Sequence, residues 1–379
     1  MLPHLASLRF ARTAAALGSL LALALCAHAQ LATGKSKYLG NIVAGSVPAD
    51  FDTYWNQITP ENAAKWGSVE ATRNTMNWTQ LDTAYNHAKA KGYKFKLHTL
   101  VWGAQYPAWI TSLNETDQRA EVDEWIRLLA ERYPDPWAVD VVNEPIKTPL
   151  PFKNALGGDG ATGWDWVIWA FEKARQRFPN AKLILNEYGT ENDSAARTQM
   201  IGIVNLLKAR GLIDGIGIQA HYFNLDSMNA AQMKACLDDY AATGIDLYIT
   251  ELDIRGPEVT EASQQAKYEQ LFPTIWEHAA VKGVTLWGYI EGQTWKAGTG
   301  IVTSTGTERA AMTWLKSYIT GVPAPTTPTT PTTPTTPTTP TTPTMPSGGG
   351  GGGGGGGAPS VWFLVALAGA ALMRRRRRT

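Results

Sequence analysis

Val141-Val142-Asn143-Glu144 and Leu247-Tyr248-Ile249-Thr250-Glu251-Leu252-Asp253 are two β-branched runs that each deliver a Glu where a strand should end. The runs lie far apart in sequence. A parallel barrel gathers the carboxyl ends of its strands over one mouth, so two such side chains can converge on one bond. Between and around them, β-branched runs alternate with helical patterns. The predicted strands are 38–43, 57–59, 94–100, 138–143, 182–186, 215–220, 246–251 and 283–287. The predicted helices include 78–91, 116–132, 164–178, 194–209, 229–242 and 261–281. Alternation argues for a parallel sheet, and eight strands argue for closure into an α/β (β/α)8 barrel.

The barrel accounts for residues 30–320, a normal length for this architecture. Residues 1–29 read as a signal peptide. Arg9 and Arg12 precede an apolar stretch, and Ala27-His28-Ala29 is a small-x-small cleavage site. Residues 321–357 are a linker of Thr-Thr-Pro repeats followed by nearly pure glycine, extended first and flexible later. Residues 358–379 form a short apolar run closed by Arg374–Arg378. That tail resembles the sorting signals of some Gram-negative surface proteins, which implies transient membrane contact and a short-lived anchor. The chain is therefore expected to be exported, either secreted or attached at the cell surface.

The formal net charge is +1, and five arginines sit in the tail, so no basic face suggests nucleic acid. Only Cys236 lies beyond the signal region, which excludes an intrachain disulfide and a cysteine metal cluster there. It falls in an apolar-periodic stretch and is read as a buried thiol. The 15 tryptophans are many for 379 residues. Trp66, Trp125, Trp164, Trp166, Trp169, Trp276 and Trp314 recur at helical spacing and are assigned to the core. Others suit stacking on sugar rings, whose apolar faces match an indole.

The predicted strand ends carry Glu61-Asn62 with Lys65, His98, Asn143-Glu144, Asn186-Glu187, Gln219 with His221, Glu251 with Asp253, and Trp287. Burying so many polar groups without a function is unfavourable. Two facing carboxyl groups are what glycoside hydrolysis needs.

These residues resemble glycoside hydrolase family 10, the retaining endo-β-1,4-xylanases. The likeness rests on the Asn143-Glu144-Pro145 stretch, on Asp214 to His221, and on Ile249 to Asp253. Thr59 to Trp66, His98 to Trp102, Trp287-Gly288 and Trp295 extend it in the same order. The resemblance implies Glu144 as general acid/base and Glu251 as nucleophile, with carboxyl groups about 5–5.5 Å apart. It implies that Asn143 binds the sugar beside the nucleophile, that His221 holds Glu251, and that Asp253 orients His221. Glu61, Asn62, Lys65, His98, Trp102, Gln105, Gln219, Trp287 and Trp295 would line the sugar-binding cleft. Xylan or xylo-oligosaccharides would be the substrate, with no metal, no organic cofactor and a monomeric enzyme. A β-1,4-glucanase on the same barrel and a catalytically silent surface xylan-binding protein are the alternatives. Gly103 replaces a usual His, which is expected to open the cleft. Asn186-Glu187-Tyr188-Gly189 replaces the usual Asn-Asp-Tyr-Asn.

Overall fold

The computed structural model describes residues 30–323. The readings of 1–29, of most of 321–357 and of 358–379 therefore lie outside the described residues. Among the described residues, no helix is long and apolar enough to cross a membrane.

Eight parallel strands close in sequence order into a barrel. They are β1 (Tyr38–Val43), β2 (Gln57–Pro60), β3 (Lys94–Trp102), β4 (Ala138–Asn143), β5 (Lys182–Glu187), β6 (Gly215–Ile218), β7 (Asp246–Leu252) and β8 (Val281–Leu286). β1 pairs with both β2 and β8, which leaves no open edge. Each run predicted from β-branched patterning is a strand.

Helices Thr79–Lys91, Glu115–Arg132, Asp165–Arg177, Ser194–Lys208, Ala230–Ala241, Glu261–Glu277 and Ala310–Thr320 form the outer ring. Local chemistry sets their starts. The Asp193 side chain accepts from the Ala195 and Ala196 amides, and Asn229 forms a reciprocal capping box with Gln232. One expectation fails here. The helix predicted as 261–281 stops at Glu277, because His278 is extended and Val281 already opens β8 beside Leu247. The apolar pattern runs through both elements, and no glycine marks the break. The last helix, Ala310–Thr320, was not predicted; it packs on helix Glu261–Glu277.

Trp66, Trp125, Trp166 and Trp169 are buried, while Trp164, Trp276 and Trp314 pack half-buried on the core, as their helical spacing suggested. Cys236 is buried, and burial pushes its thiol up to about 12.

The barrel floor is apolar. Tyr38, Ala138, Ile184 and Tyr248 pack together beside Trp137. Gly283 makes room for this plug, since a Cβ there would sit 2.1 Å from the Tyr38 ring. Above the floor the interior turns polar. Lys96 Nζ lies 2.8 Å from Asp140 Oδ2, and neither side chain is exposed. His98 Nδ1 contacts the same oxygen at 2.9 Å. On the other side, Thr285 donates to Gln57 and Gln57 donates to Thr59. Barrel interiors are usually branched aliphatic layers, so an ion pair here must be matched by partners.

Lys96→Ala leaves the buried Asp140 carboxyl with His98 as its one side-chain partner, and should lower stability by about 3–5 kcal/mol in urea unfolding. Lys96→Met combined with Asp140→Leu should lose far less. A single variant as stable as the parent would show that the pair carries no such load.

Candidate active site

The strand ends converge on one cleft of about 500 Å³. Its wall includes Glu61, Asn62 and Lys65 after β2, with His98, Trp102 and Gln105 from β3 and its loop. Asn143, Glu144, Gln219, His221, Glu251, Trp287 and Trp295 complete the predicted set on that wall. Asp253 stands behind the wall, bonded to His221.

Glu251 lies one residue before the end of β7 and is 4% exposed. One carboxylate oxygen accepts from Asn186 Nδ2 at 2.7 Å. The other lies 3.3 Å from His221 Nε2. His221 Nδ1 contacts Asp253 Oδ2 at 3.0 Å, and Trp295 Nε1 donates to that same oxygen at 2.6 Å. The Tyr222 amide donates to the second Asp253 oxygen at 2.6 Å. His221 thus lies between Glu251 and Asp253 in the structure.

Burial alone would raise the Glu251 carboxyl. The hydrogen bond from His221 and the charges of His98, His221 and Lys96 outweigh it, and Glu251 is held down at about 2. Burial alone would lower His221. The charges and hydrogen bonds of Asp253 and Glu251 outweigh that, and the imidazole is held up at about 10. Glu251 is thus an anion in a dry cage, next to an imidazolium.

Glu144 follows β4 and is half-buried. Trp102 Nε1 donates to one of its oxygens at 2.9 Å. Asn143 Nδ2 and Gln219 Nε2 each donate to the other at 3.1 Å. Asn186 Nδ2 also donates to Asn143 Oδ1 at 2.7 Å, so a short amide chain joins the two carboxylates. The Glu144 backbone is left-handed at φ 55°, an uncommon state for a residue with a Cβ. Gln105 and Ala220 share that region at φ 48° and 62°, so three turns at this mouth are constrained.

Lys65 is 7% exposed, donates to Asn62 at 2.9 Å and lies 4.8 Å from the Trp102 ring centre. Burial lowers its pKa, opposed by the charges of Glu251, Glu61 and Glu144. Burial raises Glu61, opposed by Lys65. His98 both lines the cleft and packs edge-on to Trp287 at 5.2 Å.

Three site residues were missing from the predicted set. Asn186 is the direct amide partner of Glu251, and its strand-end position was the available signal. Tyr188 and Phe223 line the cleft with rings 6.0 Å apart, and Phe223 stacks 5.6 Å from His221. They follow strand ends by one residue or more, where a period-two pattern gives no warning. The expectation for Gly103 is corrected. A Cβ there would fall 2.1 Å from Thr148 O and 2.5 Å from Pro149 O. The missing side chain is replaced by neighbouring backbone, and no extra opening results. Among the described residues, no cluster of three His, Cys, Asp or Glu side chains is arranged to hold a metal ion.

Paired carboxylates over a (β/α)8 barrel are the arrangement of the glycoside hydrolase class. A sequence model of glycosyl hydrolase family 10 matches residues 24–318, and the chain belongs to that family. It is 43% identical over 282 residues to endo-1,4-beta-xylanase B of Cellvibrio japonicus, covering 74% of this chain and 45% of that protein. It is 34% identical over 272 residues to endo-1,4-beta-xylanase D of Talaromyces funiculosus, covering 70% and 65% respectively. The chain thus spans about half the length of the first and just under two thirds of the second. Among solved structures, GH10 from Paenibacillus barcinonensis superposes with a TM-score of 0.67 at 25% identity, covering 75% of this chain and 95% of that one. A psychrophilic family 10 endo-beta-1,4-xylanase gives 0.65 at 27% identity, covering 74% and 96%.

The His221–Glu251 pair fixes a pH window for stability. Glu251 is depressed, so its contribution is complete above its ordinary 4.5 and fades as pH falls through about 2. His221 is raised, so its contribution is complete below 6.5 and fades as pH rises through about 10. The stability gap between parent and His221→Gln should be widest between pH 4.5 and 6.5 and shrink on both sides. Denaturant unfolding across pH measures it; a gap independent of pH would contradict the ion pair.

Proposed function

We propose that this chain hydrolyses internal β-1,4-xylosidic linkages of xylan by a retaining double displacement. The observation that carries the reading is the unequal pair of carboxylates. Glu251 is caged and ionised, while Glu144 sits at the mouth within reach of solvent. Glu251 attacks the anomeric carbon, and Glu144 gives its proton to the leaving oxygen. Water then enters, Glu144 takes its proton, and the glycosyl–Glu251 ester is cleaved. Asn143, beside both carboxylates, is the group we assign to the sugar at the reaction centre. Glu61, Asn62, Lys65 and Gln105 supply polar contacts to adjoining sugars. Trp102, Trp287 and Trp295 supply ring faces and limit room for the hydroxymethyl group that separates glucose from xylose. The two relatives are endo-1,4-beta-xylanases, which supports xylan as substrate.

The reading places this chemistry outside the cytoplasm, in a monomer. Residues 1–29 act as an export signal, the Thr/Pro and glycine spacer holds the barrel off a surface, and residues 358–379 make a transient membrane contact.

The direct test measures new reducing ends on soluble xylan and soluble cellulose side by side, using the full chain. Xylan should be cleaved, cellulose should not, and Glu251→Ala should abolish turnover. Cleavage of cellulose alone would keep the mechanism and overturn the substrate. Product anomers followed by NMR should appear first in the β form, and initial α product would refute retention. Glu144→Ala should lose about 10²–10⁴-fold on xylan yet far less on a xyloside with a good leaving group, which needs little protonation. Equal losses on both would remove Glu144 from the acid role.

A further inference from the structure

Glu187 has no part in the scheme above, yet it is a fully buried carboxylate one strand from Glu144. It ends β5. Its neighbour Asn186 accepts from the Glu144 amide at 2.8 Å, the last backbone bond between β4 and β5. Beyond that bond the β4 chain turns sharply. Glu144 is left-handed, Pro145 offers no amide hydrogen, and Thr148 N closes the turn on Glu144 O at 2.9 Å. The next two amides of the turn, Ile146 N and Lys147 N, both donate to Glu187 Oε2, at 2.8 and 3.3 Å. Glu187 Oε1 accepts from the Tyr188 amide at 3.0 Å. One carboxylate therefore ties the turn that carries Glu144 to the end of the adjacent strand. Lys147 adds an outer tie through Asp193 at 2.9 Å.

A residue with a Cβ in the left-handed region costs of order 1–3 kcal/mol and persists only when its surroundings over-determine it. Here the surroundings include the Glu187 carboxyl group, the strand bond at the Glu144 amide and the Thr148 N to Glu144 O bond. Releasing Ile146 and Lys147 would leave the amide of half-buried Ile146 without its acceptor and let the Glu144 backbone relax. The Glu144 carboxyl would then lose alignment with a leaving oxygen, while the Glu251 cage, built from the side chains of Asn186, His221 and Asp253, would stay intact.

We propose that Glu187 is a positioning residue for proton donation: it clamps the turn after β4 and so fixes the acid/base Glu144. This inference rests on the function proposed above. It predicts a defect confined to steps that need a proton from Glu144.

The test is Glu187→Ala in the full chain, which removes both acceptor oxygens, with Glu187→Asp as a milder second variant that keeps a carboxyl group on a shorter arm. On xylan, kcat should fall about tenfold or more while KM stays within about threefold, because proton donation alone is impaired. On dinitrophenyl β-xylobioside, whose leaving group needs little protonation, the fall should stay below about threefold. Glu187→Asp should show the same split at smaller size. Hydrogen exchange should rise about tenfold or more in the peptide spanning residues 144–150 and stay unchanged over 247–253. Equal losses on the two substrates, or unchanged exchange at 144–150, would overturn the clamp. If the parent chain cleaves neither substrate, the proposed function fails. The exchange result then still decides whether Glu187 holds the turn.

Discussion

The site depends on keeping one carboxylate ionised out of water. An unpaired buried anion is strongly unfavourable, and it neutralises unless donors replace its lost hydration. Glu251 has its donors on both oxygens, Asn186 on one and His221 on the other. Each donor is itself fixed. Thr250 donates to Asn186 Oδ1 at 2.6 Å, which leaves the Asn186 amide hydrogens free for Glu251 and Asn143. Asp253 fixes His221 and keeps it cationic. Below them, Lys96 and His98 add positive charge that reaches Glu251. The polar interior of this barrel, odd for its architecture, follows from that requirement. Asp140 then balances the cations, which would otherwise be as costly as the anion they support.

Glu144 faces the opposite requirement. The acid/base role proposed for it needs contact with solvent and with the leaving oxygen. It sits half-buried, held by three side-chain donors from Trp102, Asn143 and Gln219. Its backbone is constrained where that of Glu251 continues a strand. The two carboxylates thus differ in every respect that sets chemistry: burial, partners and backbone.

Much of this was legible in the sequence, because a strand's end is marked twice. The β-branched run stops, and a polar residue follows. Glu144, Glu251 and Gln219 carried that mark, and each lines the cleft; His98, read as a strand end, lies within β3 yet reaches the same cleft. Residues beyond the strand end are placed by loop paths that periodicity does not encode. Tyr188 and Phe223 were lost for that reason. Asn186 was recognised as a strand end but not as a partner of Glu251, since choosing between two neighbouring amides needs three-dimensional geometry. Gly103 misled in another way. A missing side chain reads as space, yet the Thr148–Pro149 backbone had moved into it. The break between Glu277 and Val281 was hidden by an apolar pattern that suits both helix and strand.

Trp295 shows how binding and catalysis share atoms. It sits on the loop after β8, not on a strand, and it is 48% exposed. A ring so placed would ordinarily be free to swing. Two anchors prevent that. Glu291 takes the amides of Gly298 and Gly300 and a contact from Arg309, which folds the loop back on itself. The indole N–H then donates to Asp253 Oδ2, the oxygen that also holds His221. The polar edge of the indole is bonded to the support of Glu251, and its apolar face is left for the cleft. The loop therefore gains its order from the charge network beneath it, and the sequence separation between His221 and Trp295 disappears at one shared carboxylate oxygen of Asp253.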